Sequence, residues 1–188
     1  MKKLFGRFGV FILMASALTA CQTVDLARVK VAQMNEQTGT NAFITCTGTE
    51  ICEFERLNDV QIMDEKTKRV HRQALNQGIL RAKVLGLNEA TSLYLSVPAS
   101  EQHELVIRFY PISKDRAEKL HVIQAFNPNK NYTFKMYRQR STAQGSLLNV
   151  SAPDPLCVDL LMEQKSIRRF CKPYDALTGL GEFVEQKI

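Results

Sequence analysis

Side chains that could carry acid–base or metal chemistry are few in this sequence. The three histidines, His71, His103 and His121, show neither H-x₃-H nor H-E-x-x-H spacing, which would place two zinc ligands on one helix face. His121 alternates with apolar residues and is predicted to lie on a strand surface, whereas His103 is expected in a polar loop. We therefore expect no metal site, no cofactor and no catalytic histidine.

Three glutamates, Glu50, Glu53 and Glu55, alternate around Cys52. Paired carboxylates could catalyse glycoside hydrolysis. On a strand, residues two apart share one face, so we favour a solvated face for Glu53 and Glu55. The sequence also lacks the G-x-S-x-G, G-x-G-x-x-G and P-loop patterns. We therefore predict a protein without enzymatic activity.

The first 20 residues have the composition of an export signal. Lys2, Lys3 and Arg7 precede an apolar run over residues 10–18. Such a run is too short to span a bilayer, which takes about 20 residues. The segment therefore predicts a cleaved secretory leader.

The end of this leader, Leu18, Thr19, Ala20 and Cys21, resembles the lipobox of bacterial lipoproteins. The resemblance implies a diacylglycerol on the Cys21 sulfur, cleavage just before Cys21 and acylation of the new amino group. Several acyl chains, each gaining ~0.8 kcal/mol per buried methylene, make a durable anchor. Gln22 follows where lipoproteins of the inner membrane often carry Asp, which implies transport to the outer membrane.

Removal of the leader changes the charge of the chain. Residues 1–20 contain three basic residues and no acidic one, so cleavage lowers the formal net charge from +6 to +3. A nucleic-acid partner is not expected, because that function needs a clustered basic face. The composition, 45% hydrophobic and 23% charged, is that of an ordinary globular protein and excludes wholesale disorder.

Four cysteines remain once Cys21 carries lipid: Cys46, Cys52, Cys157 and Cys171. An exported chain meets an oxidising compartment, so we predict two disulfides. Of the three pairings we favour Cys46–Cys52 and Cys157–Cys171, because antiparallel hairpins with three-residue loops would place each pair directly opposite. A zinc site fits poorly, since the C-x₅-C and C-x₁₃-C spacings exceed those of structural zinc sites.

Basic and aromatic side chains are the candidates for contact with a partner. One basic cluster comprises Lys66, Lys68, Arg69 and Arg72, and a second comprises Lys165, Arg168, Arg169 and Lys172. We favour a solvated face for both, with the second cluster as the candidate patch for an anionic partner. Exposed tyrosines would suit a glycan or protein surface; those on predicted strands are Tyr94, Tyr110, Tyr132 and Tyr137.

Apolar and polar residues alternate along much of the chain and predict β-strands. The clearest alternation covers residues 93–97, 105–109, 120–126, 132–136 and 156–162. With turn compositions at residues 111–115 and 127–131, residues 104–139 are predicted to form a three-stranded meander. Residues 71–87 fit either a short helix or a strand, and the tail from residue 175 is expected on the surface.

The predicted fold is mainly β. We expect a single antiparallel β-sandwich or small barrel-like domain with at most one short helix and two disulfide-pinned hairpins. Residues 1–20 would be the cleaved signal peptide, residues 21–41 a lipidated tether and residues 42–188 the β domain.

These patterns predict a lipoprotein that is anchored in the outer membrane, faces the periplasm and binds an envelope protein partner without enzymatic activity. Two alternatives stay open. A periplasmic carrier of a lipid or small ligand would need a large apolar cavity. An envelope glycan hydrolase would need a cleft with a perturbed carboxylate or histidine.

Overall fold

The structure is a computed structural model that describes residues 40–83, 92–139, 154–173 and 181–188. These ranges contain eleven strands and one short helix. The elements are β1 (Asn41–Thr47), β2 (Cys52–Leu57), β3 (Val60–Gln61), α1 (Arg72–Asn76), β4 (Leu80–Lys83), β5 (Ser92–Pro98), β6 (Gln102–Ser113), β7 (Arg116–Ala125), β8 (Asn131–Arg138), β9 (Leu156–Met162), β10 (Lys165–Lys172) and β11 (Val184–Gln186). The leader, the lipobox and residues 21–39 of the predicted tether lie outside the described residues.

The strands form two sheets. Seven strands follow the order β11-β10-β9-β8-β1-β5-β4, and four follow the order β3-β2-β6-β7. Paired strands are antiparallel apart from β1 and β8, which are parallel. Buried side chains from both sheets make one hydrophobic cluster. The prediction of a mainly β domain is therefore confirmed.

On strands with period-two alternation, one face packs into the core. On β8, for example, Tyr132, Phe134 and Met136 are buried in the cluster, whereas Lys135 between them is exposed. The ring of Phe126 lies edge-on to that of Tyr132 with centroids 4.8 Å apart. Full burial of such a side chain stabilises the fold by ~1.5–3 kcal/mol, so these aromatic positions hold the two sheets together.

The predicted meander over residues 104–139 is correct for its first two strands and wrong for the third. β6 and β7 pair as an antiparallel hairpin in the four-stranded sheet. β8 instead crosses to the seven-stranded sheet, where it lies between β1 and β9. The turn at residues 127–130 therefore connects two sheets, and alternation within a strand carries no information about which sheet accepts it.

The first disulfide joins the two sheets. Cys46 on β1 and Cys52 on β2 are bonded, with Cα atoms 6.0 Å apart. Their pairing is as predicted, but the predicted hairpin is not formed, because β1 and β2 belong to different sheets. The bridge thus ties an inner strand of the seven-stranded sheet to the four-stranded sheet.

The second disulfide lies within a hairpin, as predicted. Cys157 on β9 and Cys171 on β10 are register partners with Cα atoms 4.1 Å apart. The loop has two residues rather than three: Glu163 and Gln164 both have positive φ, as a type I′ hairpin turn requires. A register shift between Ser166 and Arg168 adds the missing residue, which restores the alignment of the two cysteines.

Residues 71–83 contain both structures that the sequence left open. His71 accepts a hydrogen bond from the backbone N–H of Gln73 (3.4 Å) and caps α1. Gly78, with a φ of 64°, follows the helix, and β4 then forms an edge of the larger sheet within the described ranges. No helix in those ranges is long and apolar enough to cross a membrane.

Candidate binding surface

The glutamates that could have formed a catalytic pair lie beside a buried arginine. The Arg108 side chain is fully buried on β6, and its guanidinium lies 3.4 Å from Glu53 Oε2 and 3.6 Å from Glu55 Oε2. The carboxylate side chains of Glu53 and Glu55 are only 12% and 23% exposed, so the predicted solvated face is wrong. Each carboxylate also contacts a lysine, Lys68 or Lys119, so the four charged groups around Arg108 form an ion cluster with it.

A hairpin over the outer face of the four-stranded sheet explains why Arg108 is buried. Residues 62–70, which we call the strap, fold back so that Met63 pairs with Val70. Arg108 donates a hydrogen bond to the Met63 carbonyl oxygen (3.1 Å). Lys68 binds the hydroxyl of Tyr110, and Lys119 lies 3.4 Å from Glu65 of the strap. The strap therefore covers a sheet face that alternation alone assigns to solvent.

Two of the three histidines, His71 and His103, make contacts within the described fold. His103 is buried on β6, where its Nε2 bonds the Pro98 carbonyl oxygen (2.8 Å) and its ring stacks on Phe126. Its predicted loop position is wrong, because β6 begins one residue earlier. His121 is exposed on β7, as predicted. Within the described residues no group of three or more histidine, cysteine or acidic side chains could hold a metal ion.

The predicted anionic-partner patch is divided by the structure. Arg169 binds Asp159. The Nε and Nη2 groups of Arg168 each donate a hydrogen bond of 2.7 Å to Glu185, and Lys172 lies 2.6 Å from Glu118. Neighbouring strand residues also point to opposite faces, which separates Arg168 from Arg169. Of the four predicted residues, Lys165 is exposed at the β9–β10 turn. The cluster is thus mostly engaged in ion pairs within the domain.

Asp159 is the centre of a second ion cluster, which the sequence analysis did not identify. Its carboxylate accepts two hydrogen bonds from Arg169 (2.7 and 2.8 Å), one from Tyr137 (3.0 Å) and one from Ser166 (3.2 Å). Burial alone would raise the pKa of Asp159, but the hydrogen bonds from Arg169 and Tyr137 hold it below 3.8. In the sequence, the one indication of this cluster was Asp159 itself, the single acidic residue among the apolar residues of β9.

A cleft of about 390 Å³, the end cleft, opens at one end of the sandwich. The β1–β2 connection, the tip of the β6–β7 hairpin and the ends of β8 and β9 form its walls. Tyr110, Tyr137, Lys114 and Arg138 line it together with Ile112, whose side chain is 70% exposed. Tyrosine, arginine and an exposed apolar side chain are the types that dominate protein interfaces.

Gly48 fixes the β1–β2 connection that borders this cleft. Its φ is 99°, and a Cβ there would lie 1.9 Å from the carbonyl oxygen of Met136. Only glycine allows both the left-handed backbone and this close approach to β8. The connection is further held by the Cys46–Cys52 bridge, so one wall of the end cleft is rigidly placed.

A second cleft of about 340 Å³ lies on the other side of the same connection. Most of its lining is apolar and comes from both sheets: Ile51, Phe54, Ile62, Met63, Leu80 and Leu93. Its volume is near the lower limit for small-molecule sites, about 300 Å³. This apolar cleft is the feature that a carrier of lipid or small ligand would use.

The tyrosines differ in exposure. Tyr132 and Tyr110 are buried, and Tyr94 and Tyr137 are partly exposed on the seven-stranded sheet. Tyr94 packs against Phe43 with ring centroids 6.0 Å apart. Tyr137 thus remains as a partly exposed aromatic at the end cleft.

Comparison with family models, curated proteins and solved structures finds no match for this chain.

Proposed function

We propose that this protein is an outer-membrane lipoprotein that faces the periplasm and serves as a binding module of a cell-envelope protein complex. The lipobox-like sequence Leu18, Thr19, Ala20 and Cys21 supports the lipid anchor. Four cysteines that can all pair within the domain support an oxidising compartment. On this proposal the protein holds a partner at the membrane and performs no chemistry itself.

The end cleft is the observation that supports a binding role most. Its walls are held by Gly48 and the Cys46–Cys52 bridge, and they present Ile112, Tyr137 and Arg138 to an incoming surface. A preformed site loses little conformational entropy on association, which favours binding. The exposed Ile112 is the side chain that a partner would bury first.

Catalysis draws less support from the described residues. The carboxylates with a resolved pKa shift there, Asp64, Asp159 and Glu185, are all shifted downward and stay ionised. A general acid would need the opposite shift, because it must carry a proton near neutral pH. A carrier role is the second candidate and rests on the apolar cleft; a lipid that co-purifies in native mass spectra would favour it.

The binding proposal is tested by site-specific photo-crosslinking in cells. A photoreactive amino acid at Ile112 should give a discrete adduct with one envelope protein. The matched control is Val184, which is also exposed, at 61%, and lies on β11. No adduct at Ile112 above a lipidated control domain, or the same adducts at both positions, would count against the end cleft as the partner site.

A further inference from the structure

Acidic and basic side chains are placed differently along the strap and the start of α1, and this placement bears on how the domain could contact a membrane. Residues 64–72 contain two acids and four basic residues. Both acids have partners within the domain, and the side chain of Glu65 is still 60% exposed. Asp64 Oδ1 accepts hydrogen bonds from the backbone N–H groups of Lys66 (3.1 Å) and Thr67 (2.6 Å), and Glu65 pairs with Lys119.

The basic residues are placed differently. Lys68 is exposed as well, at 41% of its side chain, but its ammonium contacts Glu53 and the Tyr110 ring. Lys66, Arg69 and Arg72 are exposed, and they lie within seven residues of one another on the strap and the first turn of α1. Within the described residues, Lys66 and Arg72 have no acidic partner. Most of the exposed charged side chains of this segment are therefore cationic, although its total charge is modest.

We propose that the outward side of the strap binds anionic lipid headgroups and gives the domain a second contact with the bilayer. The location rests on the proposed lipid anchor. The 19 residues from Gln22 to Thr40 could extend to roughly 65 Å, which is ample for the strap to reach the surface that holds Cys21. Because the tether keeps the strap near this surface, even a weak electrostatic contact is populated.

An exposed lysine at an anionic surface gains about 1 kcal/mol of binding free energy, which corresponds to a factor of about five in the binding equilibrium. The test reconstitutes the complete acylated chain in vesicles of phosphatidylglycerol with phosphatidylcholine, or of phosphatidylcholine alone. Acetylation of single lysines is then followed by mass spectrometry. Lys66 should react about five-fold more slowly in the anionic vesicles, and 1 M salt should abolish the difference.

Lys130 and Lys165 are internal controls, since both are exposed. Lys130 precedes Asn131, and Lys165 lies two residues after Glu163, to which Asn131 is hydrogen-bonded. Their reactivity should not change between the two vesicles. Arg72→Glu should remove most of the protection of Lys66, whereas Lys130→Glu should leave it intact. Circular dichroism of both variants checks that they are folded.

Three results would overturn the inference: equal reactivity of Lys66 in both vesicles, equal protection of all three lysines, or protection by inorganic phosphate with neutral vesicles. Protection that appears only after envelope proteins are added would assign the surface to an acidic protein instead. Failure of the proposed lipid anchor looks different, because the chain would then not remain with neutral vesicles at all.

Discussion

One buried and one partly buried arginine–carboxylate cluster differ in how well their charges are satisfied. Arg169 holds Asp159 with two short hydrogen bonds, 2.7 and 2.8 Å. Arg108 lies 3.4 and 3.6 Å from its carboxylates, and its buried Nη1 has no hydrogen-bond partner within the described structure. Short bidentate pairs are the strong ones. Asp159 is therefore the ionic residue on which stability should depend most clearly.

We predict that Asp159→Asn destabilises the domain by about 2–3 kcal/mol at neutral pH, because it leaves the Arg169 guanidinium without its anionic partner. Urea unfolding of wild-type and variant chains measures the difference. Asp115→Asn, in the exposed β6–β7 turn, is the control and should change stability by less than about 0.5 kcal/mol.

We also predict that the stability difference between wild type and Asp159→Asn depends on pH. Because the pKa of Asp159 is lower in the folded chain than its ordinary value of 3.8, its contribution is full above that value. The contribution is lost as the pH falls through the folded pKa. The stability difference between wild type and Asp159→Asn should therefore shrink as the pH falls below about 3.8. A difference that stays constant over this range would assign the effect to packing rather than charge.

At the scale of elements, the sequence predicted strands well and their partners poorly. Alternation located β6, β7, β8 and β9, because one face of each meets the core. It could not place β8 in the larger sheet, since pairing depends on contacts with β1, far away in sequence. The strap shows the same limit: Arg108 lies in an apolar run, and only the fold reveals what covers it.

The two disulfides should contribute unequally. Replacing Cys157 and Cys171 with Ala should cost about 3 kcal/mol, and replacing Cys46 and Cys52 about 2.4 kcal/mol, because the first pair closes the longer loop. Urea unfolding without reductant gives both values. Wild type treated with a reductant, which breaks both bridges, should approach a variant in which all four cysteines are replaced. A larger loss for the Cys46 and Cys52 variant would mean that joining the two sheets stabilises the fold beyond loop closure.

At the scale of the whole molecule, the candidate site was the part that the sequence predicted least. The end cleft is assembled from the β1–β2 connection, the β6–β7 tip and β8, which are far apart along the chain. The patch on β10 was plausible as a run of cations, but its acidic partners Glu118, Asp159 and Glu185 come from other strands. Local charge counts therefore overstate free charge wherever tertiary contacts supply counterions.

The lipid and the strap should contribute separately to membrane binding, and one variant can distinguish the two contributions. Cys21→Ser removes the predicted acylation site and should move most of the protein from the membrane fraction to the soluble periplasmic fraction. Any remainder should be held by the cations of the strap. Because 1 M salt shortens the screening length to about 3 Å, a salt wash should release this remainder.

Wild type should resist the same salt wash, since its acyl chains are held by burial of apolar surface rather than by charge. Fractionation followed by immunoblotting measures both chains, and labelling with radioactive palmitate checks acylation. A Cys21→Ser chain that stays in the membrane after 1 M salt would contradict the lipid anchor. If Cys21→Ser is fully soluble already at low salt, the strap is too weak to retain the domain by itself, and its contact would depend on the tether.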